Sequence, residues 1–226
     1  MSLDILIKYP TRGRPAQFLQ TLSGWLSLAD DLNHIQVLVS CDVDDLMMAD
    51  DVIAEARKIC PSLTVVRGSS PHKIAACNAD LPNYQGKWDI VLLVSDDMFC
   101  TQIGWDNFIR ENMVRSFPDL DGALWFYDGA QKAFNTLECV GRKRYEHFGY
   151  LYHPAYAGFF CDNESTEVGL RDGKLKYVDL SICRHEHPLW KGSMKHDATY
   201  SRSVPWWNQD SNTYQARKAA GFPKGF

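Results

Sequence analysis

The chain has 226 residues, of which 45% are hydrophobic and 23% charged, and its formal net charge is -4. This length and composition predict one soluble globular domain, covering residues 1–226, with a core that needs no disulfide staples. The acidic balance argues against tight, non-specific binding to nucleic acid. No apolar run approaches the ~20 residues of a membrane-spanning helix, and the N-terminal segment lacks the features of a signal peptide. We therefore expect a cytoplasmic protein with no membrane span and no nucleic-acid partner.

The seven cysteines are spread singly along the chain, without a C-x-x-C pair. This spacing argues against a structural zinc cluster. An odd number without a framework spacing fits a reducing compartment, where most such cysteines are small core residues. They are Cys41, Cys60, Cys77, Cys100, Cys139, Cys161 and Cys183.

Short apolar runs and amphipathic segments alternate through the first half of the chain. In chain order, the pattern predicts a strand at 3–7, a helix from Pro15, a strand at 35–40, a helix at 49–59, a strand at 63–66, a helix at 73–79, a strand at 90–94, a helix around 105–113 and a strand at 123–127. This alternation predicts an α/β fold with a central, mostly parallel sheet flanked by helices. After Gly129 the rhythm weakens, and no repeat or linker divides the chain.

Polar residues follow three of the predicted strands, at 11–14, 42–45 and 95–97. Ligands of open α/β sheets bind beyond the carboxyl ends of the strands, so these loops predict a binding site. Asp96 and Asp97 would repel each other unless a cation or hydrogen-bond donors offset their charge. Mg²⁺ and Mn²⁺ prefer such oxygens, often while bridging a diphosphate. The alternative is that an aspartate caps a helix.

His185 and His187 flank Glu186. An extended segment would place both histidines on one side, and imidazole is a frequent metal ligand. The alternative is that both are ordinary surface or core histidines. The H-E-x-x-H spacing is absent, which argues against a metalloprotease helix.

Asp162 and Glu164 follow a very apolar run that ends in two phenylalanines. A carboxylate partly shielded from water can have a raised pKa and act as a general base. The alternative is helix capping, with Asp162 or Asn163 as the cap and Glu167 in the first turn.

Lys73 lies at a predicted junction between a loop and a helix, where a lysine can meet phosphate. A solvated lysine is the alternative reading. The glycine-rich fingerprints G-x-G-x-x-G and G-x-x-x-x-G-K-[ST] are both absent, which argues against a dinucleotide-dependent dehydrogenase and a P-loop NTPase.

Most of the seven tryptophans are candidates for the core. Trp190, Trp206 and Trp207 lie in the polar C-terminal part of the chain. There they could stack against a sugar ring or an acceptor, with simple packing as the alternative.

Five segments together resemble the GT-A glycosyltransferases, in particular the large inverting family 2 group and its small phage- and virus-like members. They are YPTRGRP (9–15), SCDVDD (40–45), SSPHKIAACNAD (69–80), WDIVLLVSDDM (88–98) and GFFCDNESTEVGLRDGKLKYVDLSICRHEHP (158–188). The fourth is similar to the D-x-D region, with Ser95 where many members have aspartate. In the fifth, residues 162–164 read Asp-Asn-Glu in place of an adjacent Glu-Asp pair.

The resemblance implies a Rossmann-like GT-A fold, with a nucleotide-sugar-binding half at 1–128 and an acceptor-binding half at 129–226. The nucleotide-binding residues that it implies are Thr11, Arg14, Asp42, Lys73, Asn78 and Asp96. The metal ligands that it implies are Asp97 with His185 or His187. The catalytic base that it implies is Asp162 or Glu164.

The function that this resemblance implies is a metal-dependent hexosyltransferase that uses Mn²⁺ or Mg²⁺. It would move a sugar from a nucleotide-sugar, with UDP as the first choice of carrier and GDP as the next, to an acceptor hydroxyl. A single in-line displacement would invert the anomeric centre. Two alternatives stay open: a nucleotidyltransferase of related fold, and a catalytically silent module that binds a glycan or a nucleotide-sugar.

Overall fold

The computed structural model describes residues 2–187 and 197–224. The described residues contain nine strands. In chain order these are β1 (Ile5–Thr11), β2 (Ile35–Asp42), β3 (Thr64–Gly68), β4 (Ile90–Leu93), β5 (Met98–Cys100), β6 (Ala123–Tyr127), β7 (Cys139–Gly141), β8 (Leu175–Ser181) and β9 (Cys183–His185). Seven of them form one sheet in the order β3-β2-β1-β4-β7-β6-β8, and β5 pairs with β9 in a small second sheet.

The helices of the described residues follow the predicted alternation in the first half of the chain. They are α1 (Pro15–Ser27), α2 (Asp50–Ile59), α3 (Lys73–Asn78), α4 (Trp105–Ser116), α5 (Arg142–Phe148), α6 (Cys161–Arg171), α7 (Ala198–Ser201) and α8 (Trp207–Ala219), with 3-10 turns at Leu32–His34, Leu81–Asn83 and Val204–Trp206. No helix within these ranges combines the length and apolar character needed to cross a membrane.

The main sheet is mostly parallel. Neighbouring strands run parallel in the pairs β1–β2, β1–β4, β2–β3 and β6–β8, whereas β7 runs antiparallel to both β4 and β6. The predicted α/β, Rossmann-like fold class is therefore confirmed. The sequence does not predict β7 because three residues are too few to carry a periodic signal.

Strand β1 is longer than the sequence pattern predicts, since it continues through Pro10 to Thr11. Beyond Lys8, β1 pairs only with β2, because β4 has already ended at Leu93. A proline lacks the backbone N–H and is tolerated where one side of a strand is unpaired. The extension carries Thr11 to the carboxyl edge of the sheet.

Helices cover both faces of the main sheet. Alternate residues of β1 divide between the two cores, with Ile5 and Ile7 packed on the side of α1, α2 and α4, and Leu6 on the side of α3, α5, α6 and α8. This division follows from the period of two in a pleated strand. All seven cysteines are free, and six of them are buried, as predicted.

Two tryptophans hold α1 and α4 together beside β5. The rings of Trp25 and Trp105 are fully buried and meet edge to face at 4.9 Å. Such a pair adds about 1 kcal/mol to the stabilisation from buried area. The indole N–H of Trp25 also donates to the carbonyl oxygen of Met98 at 2.9 Å, which fixes the start of β5 directly after Asp97.

A buried aspartate on α8 organises the loop before α6. The carboxylate of Asp210 is fully buried and accepts hydrogen bonds from the backbone N–H groups of Ala157, Gly158 and Phe159 at 2.7–3.0 Å. Bonds from N–H groups to a charged acceptor are among the stronger ones in proteins. Asp210 therefore sets the path of the chain into the first turn of α6.

We predict that Asp210→Asn lowers the free energy of unfolding by about 2–4 kcal/mol, because the amide N–H₂ group faces backbone donors that then lose their acceptor. Urea unfolding measures this change. Asp179→Asn is the matched control, since this aspartate is exposed and its variant is expected to stay within about 0.5 kcal/mol of the parent. Equal losses in the two variants would contradict the role of Asp210.

Candidate active site

The carboxyl ends of β1, β2 and β4 open into a cavity of about 550 Å³. Nine of the eleven site residues predicted from the sequence line this cavity. They are Thr11, Arg14, Asp42, Lys73, Asp96, Asp97, Asp162, His185 and His187. The other two, Asn78 and Glu164, do not line it.

Asp96 and Asp97 occupy a tight turn between β4 and β5. No helix begins there, so the alternative that one of them caps a helix is wrong. Both side chains are buried, and each has its own hydrogen-bond donors. Thr11 donates to Asp96 at 3.2 Å, and the hydroxyl of Ser95 donates to Asp97.

The two adjacent carboxyl groups have pKa values shifted in opposite directions. Burial and the charge of Asp97 raise the pKa of Asp96 above its ordinary value. Burial also acts to raise the pKa of Asp97, but the nearby His185 and Lys73 outweigh it, and the pKa of Asp97 is lowered. Asp97 is therefore the carboxylate that stays ionised and can bind a cation.

Arg14 links three carboxylates at this edge of the sheet. Its Nη1 lies 2.7 Å from Asp96 and 3.8 Å from Asp97. Its Nε and Nη2 bind both oxygens of Asp197, at 2.6 and 2.9 Å. Asp197 also caps α7 by accepting from the N–H of Tyr200 at 2.8 Å, so the C-terminal segment is attached to the cavity through Arg14.

The position of His185 beside Asp97 comes from the second sheet. Strand β9 pairs antiparallel with β5, which places His185 opposite Met98. Its Nε2 then lies 3.7 Å from Asp97 Oδ1, and its Nδ1 lies 3.3 Å from Asp128 Oδ2. A carboxylate on the far nitrogen orients a metal-binding histidine and fixes its tautomer.

Asp128 was not predicted from the sequence, where it follows β6 as one aspartate among many. Its carboxylate is buried and also accepts from Thr136 and from the backbone N–H groups of Ala130 and Gln131 at 2.7–2.9 Å. Burial acts to raise its pKa, but His185 and these donors outweigh it and lower the pKa to about 2. Asp128 is therefore an ionised support for His185.

Asp97 and His185 fit one divalent cation. Two metal–ligand bonds of about 2.1 Å each can bridge atoms up to ~4 Å apart, and these two ligand atoms lie 3.7 Å apart. Within residues 2–187 and 197–224, no group of three His, Cys, Asp or Glu residues could hold a metal ion. A cation at this pair would therefore take its other ligands from a bound molecule or water.

His187 lies next to this pair, with its ring 5.5 Å from the ring of His185 and 5.2 Å from that of Tyr200. Burial and the nearby charge of Lys73 lower its pKa. A neutral imidazole is the form that binds metals. Both histidines that the sequence singled out therefore face the cavity.

Lys73 begins α3, as predicted, and its side chain is exposed in the cavity. It makes no hydrogen bond or ion pair with any other residue that the structure describes. Partial loss of water contact inside the cavity acts to lower its pKa, but the negative charge of Asp97 and other nearby groups outweighs this effect and raises the pKa. Lys73 is therefore a charged ammonium group available to an anion.

Asp42 is held at the opposite side of the cavity. Its two oxygens accept from Arg12 at 2.6 Å and from the backbone N–H of Ser70 at 2.9 Å. Arg12 also forms a bidentate salt bridge with the exposed Asp44. The loops after β1, β2 and β3 are thus bound to one another around this aspartate.

The structure separates the two candidate bases. Asp162 lies in the first turn of α6 and lines the cavity. Burial raises its pKa against the opposing charge of Lys73. Glu164 instead binds both Nε and Nη2 of Arg217 at 2.8 Å and accepts from Tyr156. The cap of α6 is Phe160, so the alternative that Asp162 or Asn163 caps this helix is wrong.

Asn78 is also engaged elsewhere. Its side-chain oxygen accepts from the N–H groups of Leu151 and Tyr152, and its nitrogen donates to the Tyr152 carbonyl at 2.7 Å. These contacts attach α3 to the segment before α6. The sequence does not separate this packing role from a role in the cavity, since both suit an asparagine at the end of a helix.

An aromatic wall, formed by Phe159, Phe160, Trp206 and Trp207, lines one side of the cavity. For Trp206 and Trp207 the sequence left two roles open, stacking against a ligand and simple packing. The third tryptophan of that prediction, Trp190, lies outside the described residues.

No protein-family model and no curated protein sequence matches this chain. Solved structures are similar in fold. The mannosyltransferase PcManGT from Pyrobaculum calidifontis, in complex with GDP-Man and Mn²⁺, aligns at 15% identity with a TM-score of 0.65, over 85% of this chain and 59% of its own. GalNAc-T7 with UDP, GalNAc and Mn²⁺ aligns at 13% identity with a TM-score of 0.66, over 100% and 53%. TarS from S. aureus, in complex with UDP, aligns at 10% identity with a TM-score of 0.62, over 80% and 59%.

The fold of this chain is therefore that of the GT-A type glycosyltransferases, as the resemblance implies. The chain spans only about half to three fifths of the length of these three proteins. At such low identity the similarity establishes the fold alone.

We predict that Arg14→Gln lowers the free energy of unfolding by about 3–5 kcal/mol, because it leaves buried carboxylates without their cation. Arg12→Gln is the matched control from the same loop. Its side chain is 21% exposed and one of its partners, Asp44, is 68% exposed, so we expect a loss of about 1 kcal/mol. Urea unfolding compares them, and similar losses would contradict the special position of Arg14.

Proposed function

We propose that this chain is a metal-dependent glycosyltransferase that moves a sugar from a nucleotide-sugar to an acceptor hydroxyl. The observation that carries the proposal is one cavity at the carboxyl edge of a GT-A type sheet that contains Asp97 paired with His185, the unpaired Lys73 and the half-buried Asp162. Carboxylate and imidazole ligands, a free cation and a shielded carboxylate are the groups that such a transfer needs.

The nucleotide part of the donor is proposed to bind between the loops after β1 and β2. Thr11 at the end of β1 and Arg14 in the loop after it donate to Asp96, which follows β4. Asp42 forms a second hydrogen-bonded group with Arg12 and the backbone of Ser70. Lys73 is proposed to meet the diphosphate, since its ammonium group has no partner among the described residues. UDP is the first choice of carrier and GDP the next, because two of the similar structures described above contain UDP and one contains GDP-Man.

Asp97 and His185 are proposed to hold Mn²⁺ or Mg²⁺, with His187 as the other candidate histidine. When bound, such a cation neutralises charge on a diphosphate leaving group. Asp128 holds Nδ1 of His185, which leaves Nε2 directed towards Asp97. The second carboxylate, Asp96, is proposed to stay on the nucleotide side through its bonds with Arg14 and Thr11.

Asp162 is proposed to accept the proton of the acceptor hydroxyl. The acceptor oxygen then forms a bond to the anomeric carbon while the bond from that carbon to the diphosphate oxygen breaks, which inverts the centre. The raised pKa of Asp162, caused by burial, suits a general base. Glu164 is less suited to this role because Arg217 and Tyr156 occupy its oxygens.

We predict that UDP or GDP raises the melting temperature by about 5–10 °C at saturating concentration with Mg²⁺ or Mn²⁺, and much less with a chelator. Asp97→Asn is expected to remove the metal-dependent part. Asp119→Asn is the control, because this exposed aspartate binds only Lys143 and the N–H of Asp121 among the residues that the structure describes. If neither nucleotide stabilises the protein with either metal, the proposed donor site is wrong.

We also predict that Asp162→Asn lowers acceptor-independent hydrolysis of the accepted nucleotide-sugar by about 100-fold or more, while nucleotide binding is retained. Glu164→Gln is expected to lower the melting temperature but to keep hydrolysis within about 5-fold at a temperature where it is folded. The hydrolysis rate of each variant is measured by chromatography of the released nucleotide. If Glu164→Gln loses more hydrolysis than Asp162→Asn, Glu164 is the general base and Asp162 is not.

A further inference from the structure

The rings of the aromatic wall are inclined to one another. The ring of Trp207 meets those of Phe159 and Phe160 at 4.9 and 5.0 Å, inclined by 64° and 61°. Trp206 meets His72 of the opposite side edge to face at 6.0 Å. Trp207 is 43% exposed, so part of its ring surface is open to a ligand.

The backbone under the wall is held in place by the protein itself. Asp210 binds the N–H groups of residues 157–159, as described above, and so fixes the position of Phe159. Phe160 has a φ of 61°, in the left-handed region, which costs about 1–2 kcal/mol for a non-glycine residue. Backbone strain of this kind is frequent at binding sites, where the surrounding structure holds it in place.

Polar groups face the same space. Asp162 and Asn163 lie in the first turn of α6, separated from the two phenylalanines by Cys161, and line the cavity. The side-chain amide of Asn163 and the indole N–H groups of Trp206 and Trp207 make no hydrogen bond with other residues of the described ranges. A ligand here meets apolar ring faces on one side and free donors and acceptors on the other.

This combination selects among ligand classes. A lipid chain would leave the polar groups unsatisfied, and the aromatic wall with Asp162 and Asn163 presents no cation to an acidic peptide or a nucleic acid. The rings of Phe159 and Phe160 are inclined to that of Trp207, so they offer a planar base no second parallel face. A sugar ring has apolar C–H faces, which suit the negative face of an aromatic ring, and an edge of hydroxyl groups.

We propose that the aromatic wall is the acceptor subsite and that the acceptor is a carbohydrate, with one ring packed on Trp207 and its hydroxyl groups directed towards Asn163 and Asp162. The inference rests on the proposed glycosyltransferase function, since it gives the substrate class of that site. Trp207 is a specificity-determining residue in this arrangement, because it supplies the exposed ring face.

The test is binding of the full chain to an array of immobilised glycans, with and without UDP and Mg²⁺, followed by calorimetry with the best-bound free glycan. We expect Trp207→Ala to weaken that binding by about 10-fold or more, and Trp207→Phe to stay within about 3-fold. Trp125→Ala is the matched control, because Trp125 packs on Tyr177 at 5.0 Å and does not line the cavity; its binding should be unchanged.

Circular dichroism and the nucleotide-induced rise in melting temperature show whether each variant is folded. The proposal is overturned if the array binds no glycan, if Trp207→Ala binds as well as the parent, or if nucleosides or single-stranded oligonucleotides bind in a Trp207-dependent way instead. Nucleotide binding without such glycan binding would reject the acceptor subsite and leave the donor site standing. Trp207-dependent glycan binding without any nucleotide binding would reject the transferase and leave the carbohydrate subsite standing.

Discussion

Two adjacent buried carboxylates, Asp96 and Asp97, impose the constraint on which the rest of this site depends. Their mutual repulsion is weakly screened because both side chains are shielded from water. Arg14 and His185 lie within ion-pair distance of them, and the charge of Lys73 acts on Asp97. Positive charge converges on the end of β4 and offsets this repulsion, and the same charge attracts an anionic ligand to the cavity.

The partners of this cluster come from distant parts of the chain. Arg14 lies at the start of α1, His185 arrives through the pairing of β9 with β5, and Asp197 closes the network from the C-terminal segment. Asp210 ties that segment to the loop that carries the aromatic wall. The C-terminal residues therefore build both sides of the cavity, the charged side through Arg14 and the aromatic side through the loop before α6.

Much of the first half could be predicted because its local patterns and its tertiary environment agree. The stripe from Phe18 to Leu26 on α1 and the apolar run of β4 are both buried as expected. The second half was harder because β7 is short and antiparallel, and the apolar residues of its segment carry no clear period. At the site, sequence reasoning found the paired aspartates and both histidines. It missed Asp128 and Asp197, because their roles depend on contacts with His185 and Arg14 that only the fold creates.

The sequence by itself determined the α/β alternation and the polar residues at strand ends, because hydrophobic period and strand-end position are local properties of the chain. Only the tertiary structure decided that Asp162 faces the cavity while Glu164, two residues along the same helix, is bound by Arg217. It also decided that Asn78 supports the backbone of Leu151 and Tyr152 and does not itself line the cavity. The reason is physical: a carboxylate or an amide has the same chemistry everywhere, and its role is set by the groups that the fold brings within about 3 Å of it.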